Sequence, residues 1–267
     1  MNGTVVGLKR KLKGFVALLA ALMMLFSMGA AAADTGLERF PVRFGDRESN
    51  KIAITMDDIN EPEWAWKTVE LCLQHGITMT FFPIGTNLHE QDREHWQLLL
   101  DAGCEIGCHT MYHDSLPKKT DGELVWSLLH FQETLDQVLG YHYEVRWLRP
   151  PFGNLEKDDG TGMRDVMTML KKIGYGHAIL WDVSEMKSAK KALKETKNGS
   201  ILLFHAREGD YNCLVELIPM LLEAGFEPVT VSEMFGYDLP ETSDEPFVYD
   251  PAVYRYPEKL KDAKEDP

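Results

Sequence analysis

Cysteine is scarce, with four in 267 residues. Cys72, Cys104, Cys108 and Cys213 lack the paired short spacings that build a cysteine zinc site, and of their three possible disulfide pairings none is readable from sequence. Cys104 and Cys108 fall four positions apart on one predicted strand, roughly 13 Å at the usual rise, which is too far to bridge each other. All four lie in apolar stretches, so buried thiols are expected. Positive charge is also short: 28 Lys+Arg stand against 42 Asp+Glu, a formal net charge of -14. Long-range repulsion then argues against nucleic acid or an anionic membrane face as a partner. No internal repeat is present. What the chain has in quantity is apolar surface, 44% hydrophobic and 10% aromatic residues, enough for a packed core.

That apolar content begins with a segment apart. Lys9, Arg10, Lys11 and Lys13 precede an unbroken apolar run from Phe15 to Phe26, and small residues, Ala31 and Ala33 among them, precede Asp34. A cationic start, a short apolar middle and a small-residue exit make the three-part pattern of a secretory signal peptide over residues 1–33. Gly14 to Ala33 carries no charge, so an uncleaved membrane anchor is the rival reading. No cysteine lies there to take a lipid. The expected protein is secreted or otherwise extracytoplasmic, with a lead-in over 34–50, one domain over 51–237 and an acidic, proline-rich tail over 238–267 that has no chemistry of its own.

From Lys51 onward, short β-prone runs alternate with amphipathic ones. The predicted strands are Lys51–Thr55, Thr78–Phe82, Cys104–Cys108, Glu144–Leu148, His177–Trp181, Ile201–Phe204 and Phe226–Val229. The helix after the first has Asn60 as its expected cap, an apolar stripe of Ala65, Val69, Cys72 and Leu73, and Gly76 as its stop. Another carries Leu124, Leu128, Phe131, Leu135 and Val138 at spacings of 4, 3, 4 and 3, and ends before Gly140. Interleaved strands and helices predict an α/β fold. It holds about seven parallel strands with crossover helices, most economically closed or nearly closed into a barrel.

In such folds chemistry collects at the carboxyl ends of the strands. Here the first strand runs into Asp57-Asp58 and the third into His109-Thr110-Met111-Tyr112-His113. The fourth meets Arg149-Pro150-Pro151-Phe152-Gly153, the fifth closes on Trp181-Asp182 and the sixth exits at His205. Two histidines and one carboxylate form a metal set that leaves coordination open for water. If Asp58 binds the cation, Asp57 remains as a base, Arg149 can hold that base through a charge-assisted contact, and His205 can serve as acid for a leaving amine. Trp181 and Leu203 suit the apolar wall of a small acyl pocket. Each taken alone has a plainer explanation. The histidines fit ordinary surface or core positions, the aspartates a helix cap, Arg149 a surface ion pair, and His205, Trp181 and Leu203 core packing. Five polar or aromatic strand ends on one rim favour the metal site.

These residues resemble the polysaccharide deacetylase family (carbohydrate esterase family 4, the chitooligosaccharide deacetylase homology domain). The likeness rests on Thr55-Met56-Asp57-Asp58, on His109-Thr110-x-x-His113, on Arg149-Pro150-Pro151-Phe152-Gly153, on Leu180-Trp181-Asp182 and on Leu203-Phe204-His205. It covers about Lys51 to Gly236. It implies a distorted (β/α) barrel and metal-dependent removal of N-acetyl groups from amino-sugar glycans of the peptidoglycan or chitin kind. By that likeness Asp57 is the base, while Asp58, His109 and His113 hold one divalent metal. Arg149 orients the base, His205 is the acid, and the metal and the Phe152 amide hold the oxyanion. Substrate contacts fall to Phe152, Trp181, Asp182 and Leu203. The metal is expected to be Zn²⁺, with Co²⁺ or Ni²⁺ also compatible with the ligand types.

Two departures stand out. Ile59-Asn60 follows the aspartate pair where the family usually has Gly. After Trp181-Asp182 the chain reads Val183-Ser184-Glu185-Met186-Lys187, without the family's further Asp and Asp-Trp. The carboxylate that tunes the acid histidine is then missing unless Asp182 replaces it. That loss motivates two other readings on the same scaffold, a hydrolase of a small amide or another acyl sugar, and a glycan binder without catalysis.

Overall fold

The computed structural model describes residues 41–155, 166, 170 and 177–244. The chain divides into two units, Met1–Leu37 and Glu38–Pro267, the first wholly outside the described residues, as is the expected signal segment.

The centre of the second unit is strand β1 (Lys51–Asp58), whose interior residues are all buried. β1 pairs in parallel with β2 (Thr80–Pro83) along one edge of its second half and with β7 (Ile201–His205) along the other. Its first half pairs with β8 (Glu227–Val229), and β2 continues to β3 (Glu105–Ile106), completing a five-stranded parallel sheet. A separate parallel pair joins β5 (Trp147–Leu148) to β6 (His177–Ala178), and β4 (His142–Tyr143) pairs antiparallel with β9 (Thr242–Ser243). The strands thus fall in three sheets among the described residues, where one closed or nearly closed barrel was expected. Isolated parallel bridges, Cys108 to Leu148 and Val183 to Leu202, carry the order on between the first two.

Several strand limits move for visible reasons. β1 and β7 run on to Asp58 and His205, so the polar residues expected just beyond them end the strands themselves. The expected strand Glu144–Leu148 shortens to β5, and the two residues before its start form β4, which pairs with a different partner. The start of the predicted tail supplies β9, and the lead-in is woven in as well: Val42 bridges Ile179 and Phe44 bridges Ser200.

Alternation along the sheet decides which residues reach the site. Ile52, Ile54 and Met56 of β1 and Leu202 and Phe204 of β7 join the main apolar core. Successive strand residues point to opposite faces, so Ala53, Thr55 and Asp57 face the other way. Parallel register then sets Leu203 beside Thr55 and His205 beside Asp57 on that same face.

Six α-helices surround the sheets among the described residues: α1 (Pro62–His75), α2 (Arg93–Asp101), α3 (Asp121–Leu139), α4 (Ala189–Glu195), α5 (Glu208–Glu223) and α6 (Val231–Met234). α3 follows its sequence pattern closely. Thr120 caps it, its hydroxyl accepting the Glu123 N–H while the Glu123 carboxylate accepts the Thr120 N–H, and Gly140 ends it at φ 86. Its stripe Leu124, Leu128, Phe131, Leu135 and Val138 is buried. α1 differs from expectation. Its N-cap is Glu61 with no side-chain capping bond, because Pro62 opens the first turn and Asn60 is engaged elsewhere; Leu73 is 51% exposed, while Leu71 is buried in its stead.

Candidate active site

The chain leaves β1 through a tight reversal. The Ile59 N–H bonds the Asp57 carbonyl at 2.9 Å, forming a three-residue turn centred on Asp58, and both Asp58 (φ 70) and Ile59 (φ 60) adopt left-handed backbone. The Asp58 carbonyl is held by the Ile84 N–H at 3.1 Å and by Asn87 Nδ2 at 2.9 Å. Asn60, expected as a helix cap, instead reaches Asp58 Oδ2 at 3.4 Å and accepts from Asn87 Nδ2 at 2.9 Å. The turn throws the two neighbouring carboxylates apart, so Asp57 stays on the sheet face and Asp58 swings over the rim.

The segment after β3 meets it there. Met111 N–H bonds Ser127 Oγ of α3 at 3.0 Å, and the Gly85 and Thr86 amides take the Thr110 and Met111 carbonyls. Thr110 (φ 67) and His113 (φ 58) again sit in left-handed backbone. His109 Nδ1 lies 2.6 Å from the Arg149 carbonyl oxygen. A carbonyl only accepts, so Nδ1 carries the proton and the Nε2 lone pair is free. That Nε2 stands 3.3 Å from Asp58 Oδ1, and His113 Nε2 stands 3.5 Å from the same oxygen.

These atoms, one from each of Asp58, His109 and His113, lie within 4.8 Å of one another. Asp58 Oδ1 is buried and has no hydrogen-bond partner, a costly state for an acceptor facing two imidazole nitrogens unless a cation satisfies all three. The donor set fits a first-row divalent metal such as zinc. Burial pushes the Asp58 carboxyl up, but the His109 ring and the more distant His113 and His205 reverse this and hold it below the ordinary value. Burial, joined by His109, lowers His113, which the aspartates only partly offset.

Arg149 is fully buried. Its Nη1 donates to both Asp57 oxygens, at 2.8 and 3.0 Å, its Nη2 to Thr55 Oγ1 at 3.0 Å and its Nε to the Ile179 carbonyl at 2.6 Å. The guanidinium lies between aromatic faces, 4.7 Å from the Phe82 ring centre and 5.3 Å from that of Trp181. Burial lowers the Arg149 value, opposed by Asp57. Asp57 is thereby clamped, 3.9 Å from His109 Nε2. Phe152 follows in a Pro-Pro-Phe-Gly turn at φ 61, 69% exposed, its ring edge-on to His113 at 4.6 Å. Gly153 has φ 62, and a Cβ there would stand 2.9 Å from the Trp181 ring, so glycine lets the turn close on that indole. A cavity of about 390 Å³ opens beside it, lined by Arg43, Phe152, Asn154 and Leu180 among others. A larger one of about 520 Å³, between α2, β4 and Leu239, contains none of the predicted site residues.

His205 ends β7 as the register neighbour of Asp57, on the same face. Burial would lower its value; Asp210, Asp57 and Asp58 together outweigh that, and it is raised. The structure therefore gathers Asp57, Asp58, His109, His113, Arg149, His205, Phe152, Trp181 and Leu203. It does not bring Asp182 among them. Asp182 accepts from the Ile201 N–H at 2.8 Å and from Arg47 and Ser200 at 2.7 and 3.1 Å. Ile201 precedes His205 by four strand positions, roughly 13 Å at the usual rise. Asp182 ties the lead-in to the start of β7 and cannot tune His205. The carboxylate that does touch His205 is Asp210, in the first turn of α5, a residue that the sequence did not single out.

The polysaccharide deacetylase family model matches residues 44–175. The chain is 28% identical over 201 residues to a peptidoglycan-N-acetylglucosamine deacetylase of Bacillus cereus, covering 70% of this chain and 88% of that one. Among solved structures, a peptidoglycan N-acetylglucosamine deacetylase in complex with 4-naphthalen-1-yl-N-oxidanyl-benzamide matches with a TM-score of 0.63 at 24% identity, over 74% of this chain and 94% of that one. A pseudoenzyme of carbohydrate esterase family 4 from Bacillus anthracis matches with a TM-score of 0.64 at 19% identity, over 77% and 72%. At these identities the structural likenesses show the shared fold.

Proposed function

Since the chain belongs to the polysaccharide deacetylase family, we propose that it is a metal-dependent hydrolase removing N-acetyl groups from an amino-sugar glycan outside the cytoplasm. The observation that carries this reading is the arrangement of two neighbouring aspartates with separate partners. Asp57 is clamped by Arg149, and Asp58 faces His109 and His113 with an unpartnered oxygen. A glycan binder without catalysis has no use for the first. The secretory pattern of residues 1–33 supports the location, and the bridges between the parallel sheets support the distorted barrel implied by the family likeness.

Asp58, His109 and His113 would hold the ion, which when bound acts as a Lewis acid on the acetamide carbonyl and makes water acidic enough to lose a proton near neutral pH. Asp57 accepts that proton as the water oxygen adds to the carbonyl carbon, and Arg149 keeps its carboxylate aimed. The Phe152 N–H offers a donor for the developing oxyanion. His205 gives a proton to the sugar nitrogen as the C–N bond breaks, releasing acetate and a free amine. Trp181 and Leu203 form the apolar wall against the acetyl methyl.

Acetate release from N-acetylglucosamine polymers and from small amides, with and without a chelator, tests the reading. Chelator-sensitive release from the polymers is the expected result. Release from small amides alone moves the substrate to that class, and glycan binding without release leaves a binder.

A further inference from the structure

The acid end of the site has a partner that the family-like segments do not contain. β7 ends at His205, and the Arg207 N–H bonds the His205 carbonyl at 2.9 Å, reversing the chain within two residues. α5 then begins at Glu208, so the side chain of Asp210 in its first turn is carried back to the strand end. Asp210 Oδ2 accepts the His205 backbone N–H at 2.7 Å, and the same oxygen stands 3.5 Å from His205 Nδ1. Asp210 Oδ1 accepts from Arg207 Nε at 2.7 Å. The carboxylate is 3% exposed, while its Arg207 partner is about half exposed. His205 Nδ1 is itself buried with no hydrogen bond, and the Asp210 carboxylate faces it at 3.5 Å.

From this geometry we infer that Asp210 is the positioning residue of the acid histidine, fixing the His205 ring with Nδ1–H toward the carboxylate and Nε2 toward the reacting nitrogen. The inference rests on the deacetylase reading for its kinetic consequence, though not for its structural one. A carboxylate accepts only, so it selects the Nδ1–H tautomer and stabilises the imidazolium once a second proton sits on Nε2. The position also makes energetic sense. An anion in the first turn of a helix is favoured by the unpaired N–H groups there. Burial raises the Asp210 carboxyl, but His205 and Arg207 more than reverse this and keep it below its ordinary value, ionised throughout the working range. The 3.5 Å gap is an ion-pair distance that tightens into a hydrogen bond when His205 is charged.

The arrangement keeps base and acid from neutralising each other. Asp57 and His205 are register neighbours on one face, and a free imidazolium there would pair with the Asp57 carboxylate. Arg149 already occupies Asp57, and Asp210, itself held by Arg207, faces His205, so each group keeps its own counter-charge. Asp182, the candidate from sequence, is engaged at the opposite end of β7.

The test uses the full chain loaded with zinc, and compares wild type with Asp210→Asn and Asp210→Glu. Acetate release from N-acetylglucosamine oligomers should fall about 100-fold in kcat for Asp210→Asn, with KM within twofold and zinc content unchanged. Asp210→Glu, which keeps the charge, should recover at least tenfold of that loss. Long-range ¹⁵N–¹H spectra of the His205 ring should show Nδ1 protonated in wild type and in Asp210→Glu, and a mixture or the Nε2–H form in Asp210→Asn. An unchanged kcat in Asp210→Asn, or an unchanged His205 tautomer, overturns the assignment. If the wild type releases no acetate, the deacetylase reading fails, and the ring spectra still decide whether Asp210 sets the tautomer. If Asp210→Asn does not fold, the ring spectrum of Asp210→Glu decides: a loss of Nδ1 protonation there overturns the assignment, and its retention supports it.

Discussion

Five non-glycine residues have positive φ among the described residues: Asp58, Ile59, Thr110, His113 and Phe152. Asp58 and His113 belong to the candidate metal set, Ile59 and Thr110 are next to members of it, and all five lie in the segments that carry the site. Left-handed backbone costs an L-residue about 1–2 kcal/mol, and such strain persists where surrounding contacts over-determine it. Ile59 is the sharpest case, because a β-branched side chain is least at ease there and the family usually has Gly at this place. It is nonetheless 1% exposed, packed in the main core. Strain and packing then oppose each other, and substitutions separate them. Ile59→Gly should destabilise less than Ile59→Ala, by about 1 kcal/mol, the reverse of what lost volume dictates; denaturant unfolding of the two variants measures it, and Ala being milder refutes the strain. For the neighbouring pair, Asp57→Asn should retain bound zinc while losing at least about 100-fold in kcat, whereas Asp58→Asn should lose both, with elemental analysis beside acetate release as the check. The residues at strand ends were legible in the sequence because each carries its chemistry in its own type and spacing. Asp210 and Asp182 were not. One sits where any helix might start with an acid, and the other is placed by pairing with Arg47, 135 positions away.

At the scale of elements, α1, α3 and the parallel strands could be read from period and punctuation, and the misreadings have a common cause. Leu73, Asn60 and the tail residues Thr242 and Ser243 are decided by what packs against them, which no local pattern records. The same holds for Glu105, a charged residue at the start of β3 that is completely buried. It accepts from Thr80 Oγ1 on β2 at 3.0 Å and from the Ser232 N–H on α6 at 3.1 Å, and the Ser232 hydroxyl also donates to it. Trp147 Nε1 and Arg146 Nη1 reach the same serine at 2.9 Å, so one carboxylate ties together β2, β3, β5 and α6. Burial raises the Glu105 value, and the Ser232 and Thr80 bonds only partly oppose this. A carboxyl raised on folding contributes stability that is full below its ordinary value, 4.5, and is lost as pH rises through the higher folded one. Glu105→Gln does not titrate. The wild type's stability relative to Glu105→Gln should therefore decline as pH rises above about 4.5, by about 1.4 kcal/mol for each pH unit separating the two values. Thermal unfolding of both proteins across pH 4 to 8 reads the difference, and a flat or rising difference contradicts the buried-acid account.

For the whole molecule, parallel pairing is what makes a site at all, since it delivers the carboxyl ends of β1, β3, β5 and β7 to one side and leaves their side chains to meet there. The contacts that close it span long stretches of chain: Asp57 to Arg149 is 92 residues, and His109 to the Arg149 carbonyl is 40. Such a centre exists only in the folded state, so an ion bound to it adds its binding free energy to folding. At a free zinc concentration one hundred times the dissociation constant the gain is about 2.7 kcal/mol, which for a domain of this size raises Tm by roughly 5–11 °C. The shift should vanish with a chelator and in His109→Gln, which removes a ligand while the Arg149 carbonyl loses its imidazole donor. It should persist in Asp57→Asn, because that carboxylate is spent on Arg149. Differential scanning of the three proteins with and without zinc shows, without any substrate, whether the ion needs His109 and spares Asp57. An equal shift in His109→Gln and wild type would mean that the ion binds somewhere else, and the division of labour between Asp57 and Asp58 would lose its physical basis.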